Sequence, residues 1–203
     1  MSRCIIFGAG EYDAQTPPEG ESLVIAADGG YSRCLAYGFT PDIVIGDFDS
    51  LGFVPENANT VRLPVEKDVT DTDAAVTAAL ERGCAENVYF VGMGGRPDHT
   101  LANYALAARL SQKGIRAFLY GGGYVITALT DGTAKLSGVP GKTVSVFAWT
   151  EKAEGVTLRG LKYPLENHEL TNTFALGVSN SFIETAAEIT VARGTLIIML
   201  DRQ

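Results

Sequence analysis

The sequence predicts an α/β protein in which a mostly parallel, Rossmann-like α/β domain is followed by an antiparallel sandwich or barrel-like β domain. Two observations support this prediction. Short β-rich apolar runs alternate with segments of helical period through the first 120 residues. After Gly121-Gly122-Gly123 the helical period disappears and only short strand-like runs follow. We therefore place the α/β domain at residues 1–122 and the β domain at residues 123–203.

The N-terminal domain is predicted to contain six buried strands. These are residues 4–7, 23–27, 43–45, 61–63, 88–91 and 117–120. Residues 75–80 and 101–110 carry apolar side chains at helical spacing, and Gly83 and Gly114 stop the two helices. A repeated βα arrangement of this kind places ligands at the carboxyl ends of the strands.

The C-terminal domain shows five short runs of the strand type. They are residues 124–129, 134–136, 143–149, 189–192 and 196–200. Asp131-Gly132 and Arg193-Gly194 fall between such runs, and these residue pairs predict tight hairpin connections. We therefore expect an antiparallel β domain with no convincing helix.

The charge of the chain argues against one class of function. The sequence has 16 Lys and Arg against 24 Asp and Glu, which gives a formal charge of −8. Nucleic-acid binding needs clustered cations to neutralise phosphates, so we expect no groove for DNA or RNA. A polyanionic ligand would instead need a metal ion or a helix N-terminus to attract it.

Further features of the sequence concern localisation and redox state. No uninterrupted run of about 18 apolar residues is present, and the N-terminus lacks the basic and apolar regions of a signal peptide. We therefore expect a cytoplasmic protein with no membrane partner. Cys4, Cys34 and Cys84 are widely spaced in apolar contexts, so we expect them to be reduced core thiols.

A pair of carboxylates follows the third predicted strand. Asp47 and Asp49 lie one residue apart, so both can point to one side while Phe48 points to the other. Magnesium favours one or two carboxylates together with phosphate oxygens and water, and a nucleotide is expected at a strand's carboxyl end. The pair is therefore a candidate magnesium site. An Asx turn that closes the strand is the structural alternative.

Residues 67–73 place three aspartates, including Asp71, directly before a predicted helix. A cap at Thr70, Asp71 or Thr72, together with a favourable helix dipole, explains part of this pattern. Three aspartates exceed what one cap needs, and they follow another strand end, as the first carboxylate pair does. A structural and a functional interpretation both stay open for this segment.

Residues 91–99 run from a strand through three glycines into a helix, with Pro97 suited to the first turn. Glycine lets the backbone approach a ligand closely, and a helix N-terminus offers N–H groups to anions. Arg96 would add a forked cation for a phosphate or a carboxylate. A tight strand-to-helix turn explains the glycines but not the Arg-Pro-Asp-His run that follows. The segment is neither a G-x-G-x-x-G fingerprint nor a Walker loop.

Six segments stand in a characteristic order along the chain. They are Ala27-Asp28-Gly29-Gly30, Gly46-Asp47-Phe48-Asp49-Ser50, Lys67-Asp68-Val69-Thr70-Asp71, Gly94-Gly95-Arg96-Pro97-Asp98-His99 with Asn103, Gly160-Leu161-Lys162-Tyr163-Pro164-Leu165 and Gly177-Val178-Ser179-Asn180-Ser181. In order and spacing these segments resemble the thiamine pyrophosphokinase family. The resemblance covers nearly the whole chain, and one position is looser, because some relatives carry Trp where this chain has Tyr163.

The resemblance implies an N-terminal α/β catalytic domain and a C-terminal β-sandwich domain for thiamine binding and dimerisation. It also implies a homodimer and transfer of a diphosphoryl group from ATP to the thiamine hydroxyl. Magnesium would be held by Asp47, Asp49 and Asp71.

The same resemblance assigns roles to further residues. The catalytic residues would be Asp71, Arg96 and Asp98. The nucleotide would contact Asp28, Gly29, Gly94, Gly95, Arg96, Asp98, His99 and Asn103. Thiamine would be bound by Tyr163, Ser179 and Asn180.

The implied reaction is an in-line attack of the thiamine alcohol on the β-phosphorus, with AMP as the leaving group. Catalysis would come from positioning and from charge neutralisation by Mg²⁺ and Arg96. Asp71 and Asp98 are both candidates to accept the hydroxyl proton.

Two alternative functions stay open. One is a diphosphokinase that uses another hydroxymethyl acceptor such as a pterin. The other is a module that senses Mg-nucleotide without turnover, which the number of metal-directed carboxylates beside Arg96 disfavours.

Overall fold

The computed structural model describes residues 2–12, 17–48, 51–55, 59–66 and 68–202. The chain forms two compact units. The first unit comprises Met1–Asn103 with Ala117–Gly122, and the second comprises Tyr104–Arg116 with Gly123–Gln203. Residues 104–116 are grouped with the second unit, whereas the sequence analysis placed them in the N-terminal domain.

The first unit is built on a parallel sheet. Its strands are β1 (Arg3–Phe7), β2 (Leu23–Ala27), β3 (Ile43–Gly46), β4 (Asn59–Arg62), β5 (Asn87–Val91) and β6 (Arg116–Gly121). Their order across the sheet is β6-β5-β1-β2-β3-β4. The pairs β1/β2, β1/β5, β2/β3 and β3/β4 are all parallel. The predicted Rossmann-like architecture is therefore confirmed.

The strand order reverses at β1. Successive strands are added on one side of β1 as far as β4, and β5 then pairs with its other side. In open α/β sheets, ligands bind in the crevice outside the strand ends where such a reversal occurs. The topology thus points to the carboxyl ends of β1 and β5, which Gly8 and Gly92 follow.

The described residues form three helices, namely α1 (Gly30–Ala36), α2 (Asp71–Glu81) and α3 (Pro97–Gln112). The second and third confirm the two predicted helices. The first was not predicted, because seven residues that bury only Gly30 and Cys34 carry too short an apolar stripe. Among the helices of the described residues, none is both long and apolar enough to cross a bilayer.

The core of the first unit is formed by strand residues and aromatic rings. Phe7 is fully buried, and Tyr12, Tyr37 and Phe39 pack around it with ring centroids 5.2 to 6.5 Å away. Cys4, Cys34 and Cys84 are all buried with free thiols, as predicted. Their contribution to the fold is therefore that of small apolar side chains.

The second unit is antiparallel throughout its described pairings. Its strands are β7 (Tyr124–Ser137), β8 (Thr143–Ala148), β9 (Lys152–Arg159), β10 (Leu165–Thr171), β11 (Asn180–Ser181) and β12 (Ala186–Asp201). Strand β12 pairs with β7 along its whole length, with β9 over its first half and with β8 over its second. Strand β10 extends β9, and β11 extends β8. This arrangement confirms the antiparallel β-sandwich.

The two predicted hairpins of this unit are wrong. Asp131-Gly132 and Arg193-Gly194 lie inside the long strands β7 and β12. Both sites are irregular, since Asp131 has φ 45° and the register between β12 and β7 shifts between Val191 and Thr195. The Asp131 carboxylate accepts a hydrogen bond of 2.7 Å from the Gly194 amide. The turn-forming residues therefore make a bulge in each of two continuous strands.

Candidate active site

A cavity of about 600 Å³ lies at the strand ends of the first unit. This volume is within the range of small-molecule sites, about 300–1,000 Å³. Its walls come from residues that follow β1, β2, β3 and β5 and from the start of α2. They are Gly8 to Glu11, Ala27, Asp28, Asp47, Thr70 to Thr72, Gly92 to Arg96, His99 and Asn103. The cavity therefore occupies the position that the strand order predicts.

Three predicted carboxylates, Asp28, Asp47 and Asp71, line this one cavity. Asp28 follows β2 with φ 45°, and its amide donates to the carbonyl of Ile45 at 2.8 Å. Asp47 follows β3, and Asp71 begins α2. The Oδ1 atoms of Asp28 and Asp71 are buried from solvent. Three acids that follow or begin three different elements thus line one cavity.

The start of α2 combines a cap with a cavity-facing acid. The Thr70 hydroxyl accepts from the Asp73 amide at 3.1 Å, which is the predicted capping bond. Asp71 and Asp73 both lie in the first turn, but only Asp71 of these two described residues lines the cavity. The structural and functional interpretations of this segment therefore apply to different side chains.

The predicted magnesium ligands are only partly described. Asp49 lies outside the described residues. Among the residues that the structure describes, no three His, Cys, Asp or Glu side chains are grouped closely enough to hold a metal ion. The set of Asp47, Asp49 and Asp71 thus stays a prediction. Phe48, which lies between these two aspartates in the sequence, is 4% exposed and its ring packs in the core. Its φ of 67° is not that of an extended strand, so the alternation on which the prediction relied does not continue through Phe48.

Glycine backbones form part of the cavity wall. The Gly10 amide donates to the Gly92 carbonyl at 3.0 Å, and a β-carbon on Gly10 would collide with that oxygen. Gly94 and Gly95 have φ of 111° and 85°, which side chains rarely adopt. Two backbone turns can therefore approach each other here only because they lack side chains.

Arg96 and Asp98 form a forked ion pair at the start of α3. The Arg96 Nε and Nη2 atoms donate to the two Asp98 oxygens at 3.2 and 2.7 Å. The His99 amide also donates to Asp98, at 3.0 Å. These hydrogen bonds, with that from Arg96 the stronger cause, lower the pKa of Asp98 to about 2. The pKa of Arg96 is raised by the same pair, so both side chains stay charged.

The structure separates the predicted nucleotide residues into two groups. Gly94, Gly95, Arg96 and His99 line the cavity together with Asp28. Of the described residues given this role, Gly29 and Asp98 do not line it.

Asn103 has a supporting role in the wall. It lines the cavity but is 9% exposed, and its Nδ2 donates to the Met93 sulfur at 3.0 Å. Asn103 therefore holds the glycine turn in place from the side of α3.

Sequence reasoning missed the wall after β1. Gly8, Gly10 and Glu11 line the cavity, and the Glu11 Oε2 lies 3.4 Å from where a β-carbon would stand on Gly94. A signal was present, because Gly8-Ala9-Gly10 directly follows the first apolar strand. A glycine-rich turn at that place commonly accompanies a ligand site in α/β folds.

The residues assigned to thiamine binding lie together in the second unit, and we name Tyr163, Ser179 and Asn180 the Tyr163 corner. Tyr163 is 59% exposed, whereas Asn180 is 3% exposed. Ser179 has φ 55°, and its amide donates to the Ser145 hydroxyl at 3.1 Å. The corner thus combines an exposed ring, a strained serine and a buried amide.

Two sequence-family models match the chain. The one described as thiamin pyrophosphokinase, catalytic domain, matches residues 18–119, and the one described as thiamin pyrophosphokinase, vitamin B1 binding domain, matches residues 133–196. A curated protein named thiamine pyrophosphokinase from Bacillus subtilis (strain 168) is 30% identical over 185 residues. The matched region covers 88% of this chain and 86% of that protein.

Solved structures show the same similarity. The crystal structure of a thiamin pyrophosphokinase family protein from Enterococcus faecalis has a TM-score of 0.85 and 28% identity, and all of each chain is covered. That of thiamine pyrophosphokinase from Bacillus subtilis has a TM-score of 0.84 and 27% identity, over 98% of this chain and 99% of the other. Fold and sequence are thus similar to the same proteins along nearly the whole length.

Proposed function

Because the chain belongs to the thiamin pyrophosphokinase family, we propose that it transfers the diphosphoryl group of ATP to the hydroxyl of thiamine, giving thiamine diphosphate and AMP. The observation that supports this proposal best is the single cavity at the strand ends. It joins three carboxylates to a glycine-walled turn and Arg96. Carboxylates suit a metal ion, and the turn and the guanidinium suit phosphate oxygens.

Magnesium fits the donor set of the cavity, because carboxylate oxygens are the hard ligands that this ion prefers. The residues proposed to hold it are Asp47, Asp49 and Asp71, and Asp28 is a further carboxylate that lines the cavity with Asp47 and Asp71. When bound, the ion would neutralise charge on the phosphate oxygens of ATP. Arg96 would share this role through the N–H donors of its guanidinium that do not bond to Asp98.

The proposed reaction replaces one bond to the β-phosphorus with another and transfers one proton. The thiamine oxygen forms a bond to the β-phosphorus of ATP, and the bond from that phosphorus to the α–β bridging oxygen breaks as AMP leaves. The hydroxyl proton passes to a carboxylate. Asp71 lines the cavity, whereas Asp98 does not line it and both of its carboxylate oxygens accept from Arg96. We therefore assign proton acceptance to Asp71 and treat Asp98 as the partner that orients Arg96.

Each domain has a proposed task. Residues 1–122 would bind ATP and magnesium, and residues 123–203 would bind thiamine and mediate a homodimer. The Tyr163 corner supports the second assignment, since a large aromatic side chain that is 59% exposed is suited to a ring-shaped ligand. We further propose a cytoplasmic location, where thiamine and ATP are available to the enzyme.

A product analysis tests the proposal. The protein is incubated with thiamine and Mg-ATP, and the product masses are measured with 6-hydroxymethylpterin as a competing acceptor. We expect thiamine diphosphate and AMP, with the pterin unchanged. A diphosphorylated pterin would contradict the acceptor assignment, and unchanged ATP in every mixture would contradict the enzymatic function.

A further inference from the structure

We propose that Asn180 is a positioning residue whose buried amide fixes the backbone of Tyr163, so that the Tyr163 ring forms a wall of the thiamine site. This inference rests on the proposed function. It differs from the sequence expectation, in which Asn180 itself contributes to binding thiamine.

The amide of Asn180 is committed to backbone groups of its neighbours. Its Oδ1 accepts from the amides of Tyr163 and Ser181, both at 2.9 Å. Its Nδ2 donates to the Tyr163 carbonyl at 2.7 Å. A single side chain thus binds both the N–H and the C=O of Tyr163, as a neighbouring strand would. At 3% exposure, this side chain has no open face for a ligand.

Direct binding of thiamine by Asn180 would be costly. The amide would have to release Tyr163, and two partly buried backbone groups would then lose the partners they have in Asn180. A ligand that forms one hydrogen bond with Asn180 while Tyr163 loses two would bind with little net affinity. The geometry favours a role in which Asn180 keeps its bonds and acts through Tyr163.

Residues 161–163, in the connection between β9 and β10, are held by contacts with residues 180–182. Leu161 is 2% exposed and bridges to Phe182, and the Lys162 amide donates to the Ser181 carbonyl at 2.9 Å. The Asn180 bonds come next and hold Tyr163 itself. The Tyr163 ring therefore projects from a fixed backbone, which lowers the entropy that a ligand must remove on binding.

One face of the Tyr163 ring already carries a cation. The Lys162 ammonium lies 5.4 Å from the ring centroid. The thiazolium of thiamine is also cationic, so the two positive charges favour opposite faces of the ring. The acceptor would therefore stack on the face that Lys162 leaves open, and the orientation of Tyr163 decides whether that face is presented.

Steady-state kinetics of a double-mutant cycle test the proposal. We expect Asn180→Ala to raise the thiamine KM by roughly tenfold while the ATP KM changes less than about twofold. Tyr163→Ala should raise the thiamine KM to a similar degree. The double variant should be no worse than Tyr163→Ala, because Asn180 acts only through that residue. Independent, multiplicative effects would show direct contact with thiamine and overturn the proposal.

Two further variants separate positioning from folding. Asn180→Asp keeps the size of the side chain but turns an oxygen toward the Tyr163 carbonyl, so it should repeat the thiamine-specific effect if Asn180→Ala does not fold. Thr195→Val is the matched control, because Thr195 is 1% exposed and its hydroxyl bonds with Thr130 instead, at 3.0 Å. It should lower thermal stability without changing the thiamine KM.

The remaining outcomes distinguish the two levels of the proposal. A wild-type protein that makes no thiamine diphosphate would contradict the proposed function. An active wild type with an unaltered thiamine KM in both Asn180 variants would overturn only the role of Asn180. Equal increases in both KM values would indicate a general folding defect and would also overturn that role.

Discussion

The cavity of the first unit and the Tyr163 corner of the second use polar side chains in opposite ways. In the cavity, acids such as Asp47 and Asp71 lie at strand and helix ends and line a space that a ligand can occupy. In the corner, Asn180 bonds only to the backbone of its neighbours. The phosphate site proposed for the cavity needs charges that face the ligand, whereas the thiamine site proposed for the corner needs a fixed aromatic face.

This difference predicts how substitutions in each region behave. Neutralising a cavity carboxylate should reduce activity strongly and stability little, because acids that share a wall repel one another when no metal is bound. Substitutions in the corner should affect thiamine binding, and removal of the buried Asn180 amide should lower stability as well. The predictions below test that contrast, beginning with the largest expected effect.

Asp71 and Asp73 provide a matched pair in the first turn of α2. Only Asp71 of the two lines the cavity, although both are favoured by the helix dipole. We expect Asp71→Asn to lower kcat at least about a hundredfold and Asp73→Asn to lower it less than about threefold. Each should cost only about 0.3–1 kcal/mol of unfolding free energy. The measurements are kcat under saturating substrates and thermal unfolding, and equal activity losses would show that Asp71 acts through the helix.

Arg96 should affect ATP rather than thiamine. Removal of its forked donors in Arg96→Ala should lower kcat/KM for ATP by about ten- to a hundredfold. Arg109→Ala, in the last turn of α3, is the control for loss of a positive charge. Initial rates measured against each substrate in turn give the two specificity constants. A larger decrease in kcat/KM for thiamine than for ATP would contradict the assignment of Arg96 to the proposed phosphate site.

The ion pair of Arg96 and Asp98 predicts a dependence on pH. The pKa of Asp98 is lowered from its ordinary 3.8 to about 2, so ionisation of Asp98 favours the folded state fully above pH 4. This small contribution is lost as the pH falls toward 2. An NMR titration of the Asp98 carboxyl carbon should show the low value, and Arg96→Ala should return it toward 3.8. A wild-type Asp98 that titrates near 3.8 would show that the pair does not form in solution.

Ser179 should have the smallest effect. Its φ of 55° suits glycine, so Ser179→Gly should leave the free energy of unfolding within about 1 kcal/mol of the wild type. The lost hydroxyl should raise the thiamine KM by about three- to tenfold. Asn167→Gly, at φ 47°, is the control that changes a similar backbone position without touching the corner. A thiamine KM that stays constant in Ser179→Gly would exclude the hydroxyl from the site.

The sequence predicted the first unit better than the second. Its strands β1, β2, β3 and β5 are buried, and the acids and glycines that follow them mark the strand ends where the cavity lies. The prediction of a buried strand at residues 61–63 was wrong, because β4 is the last strand of the sheet and its residues are exposed or half-buried. In the second unit, Lys152–Arg159 and Leu165–Thr171 were not recognised as strands, because many of their side chains are exposed and few are apolar. Their strand conformation depends on pairing with β12 and with each other, which no local pattern reveals.

Residue types alone could not distinguish side chains that contact a ligand from side chains that hold neighbouring residues in place. Asn180 and Asn103 both stand in motifs that indicate binding, yet their amides bond to Tyr163 and to Met93. Asp131-Gly132 carried a strong turn signal, but its partner Gly194 lies opposite in a second long strand. In each case a residue distant in sequence decides the role.

The central claim is that the protein catalyses attack of the thiamine hydroxyl on the β-phosphorus of ATP, as its family membership indicates. Geometry alone would permit attack at either the β- or the γ-phosphorus, so phosphorus NMR of a running reaction with thiamine and Mg-ATP is the most direct test. We predict AMP and thiamine diphosphate in equal amounts, no thiamine monophosphate, and an immediate stop when EDTA removes the metal. Accumulation of ADP together with thiamine monophosphate would contradict the account.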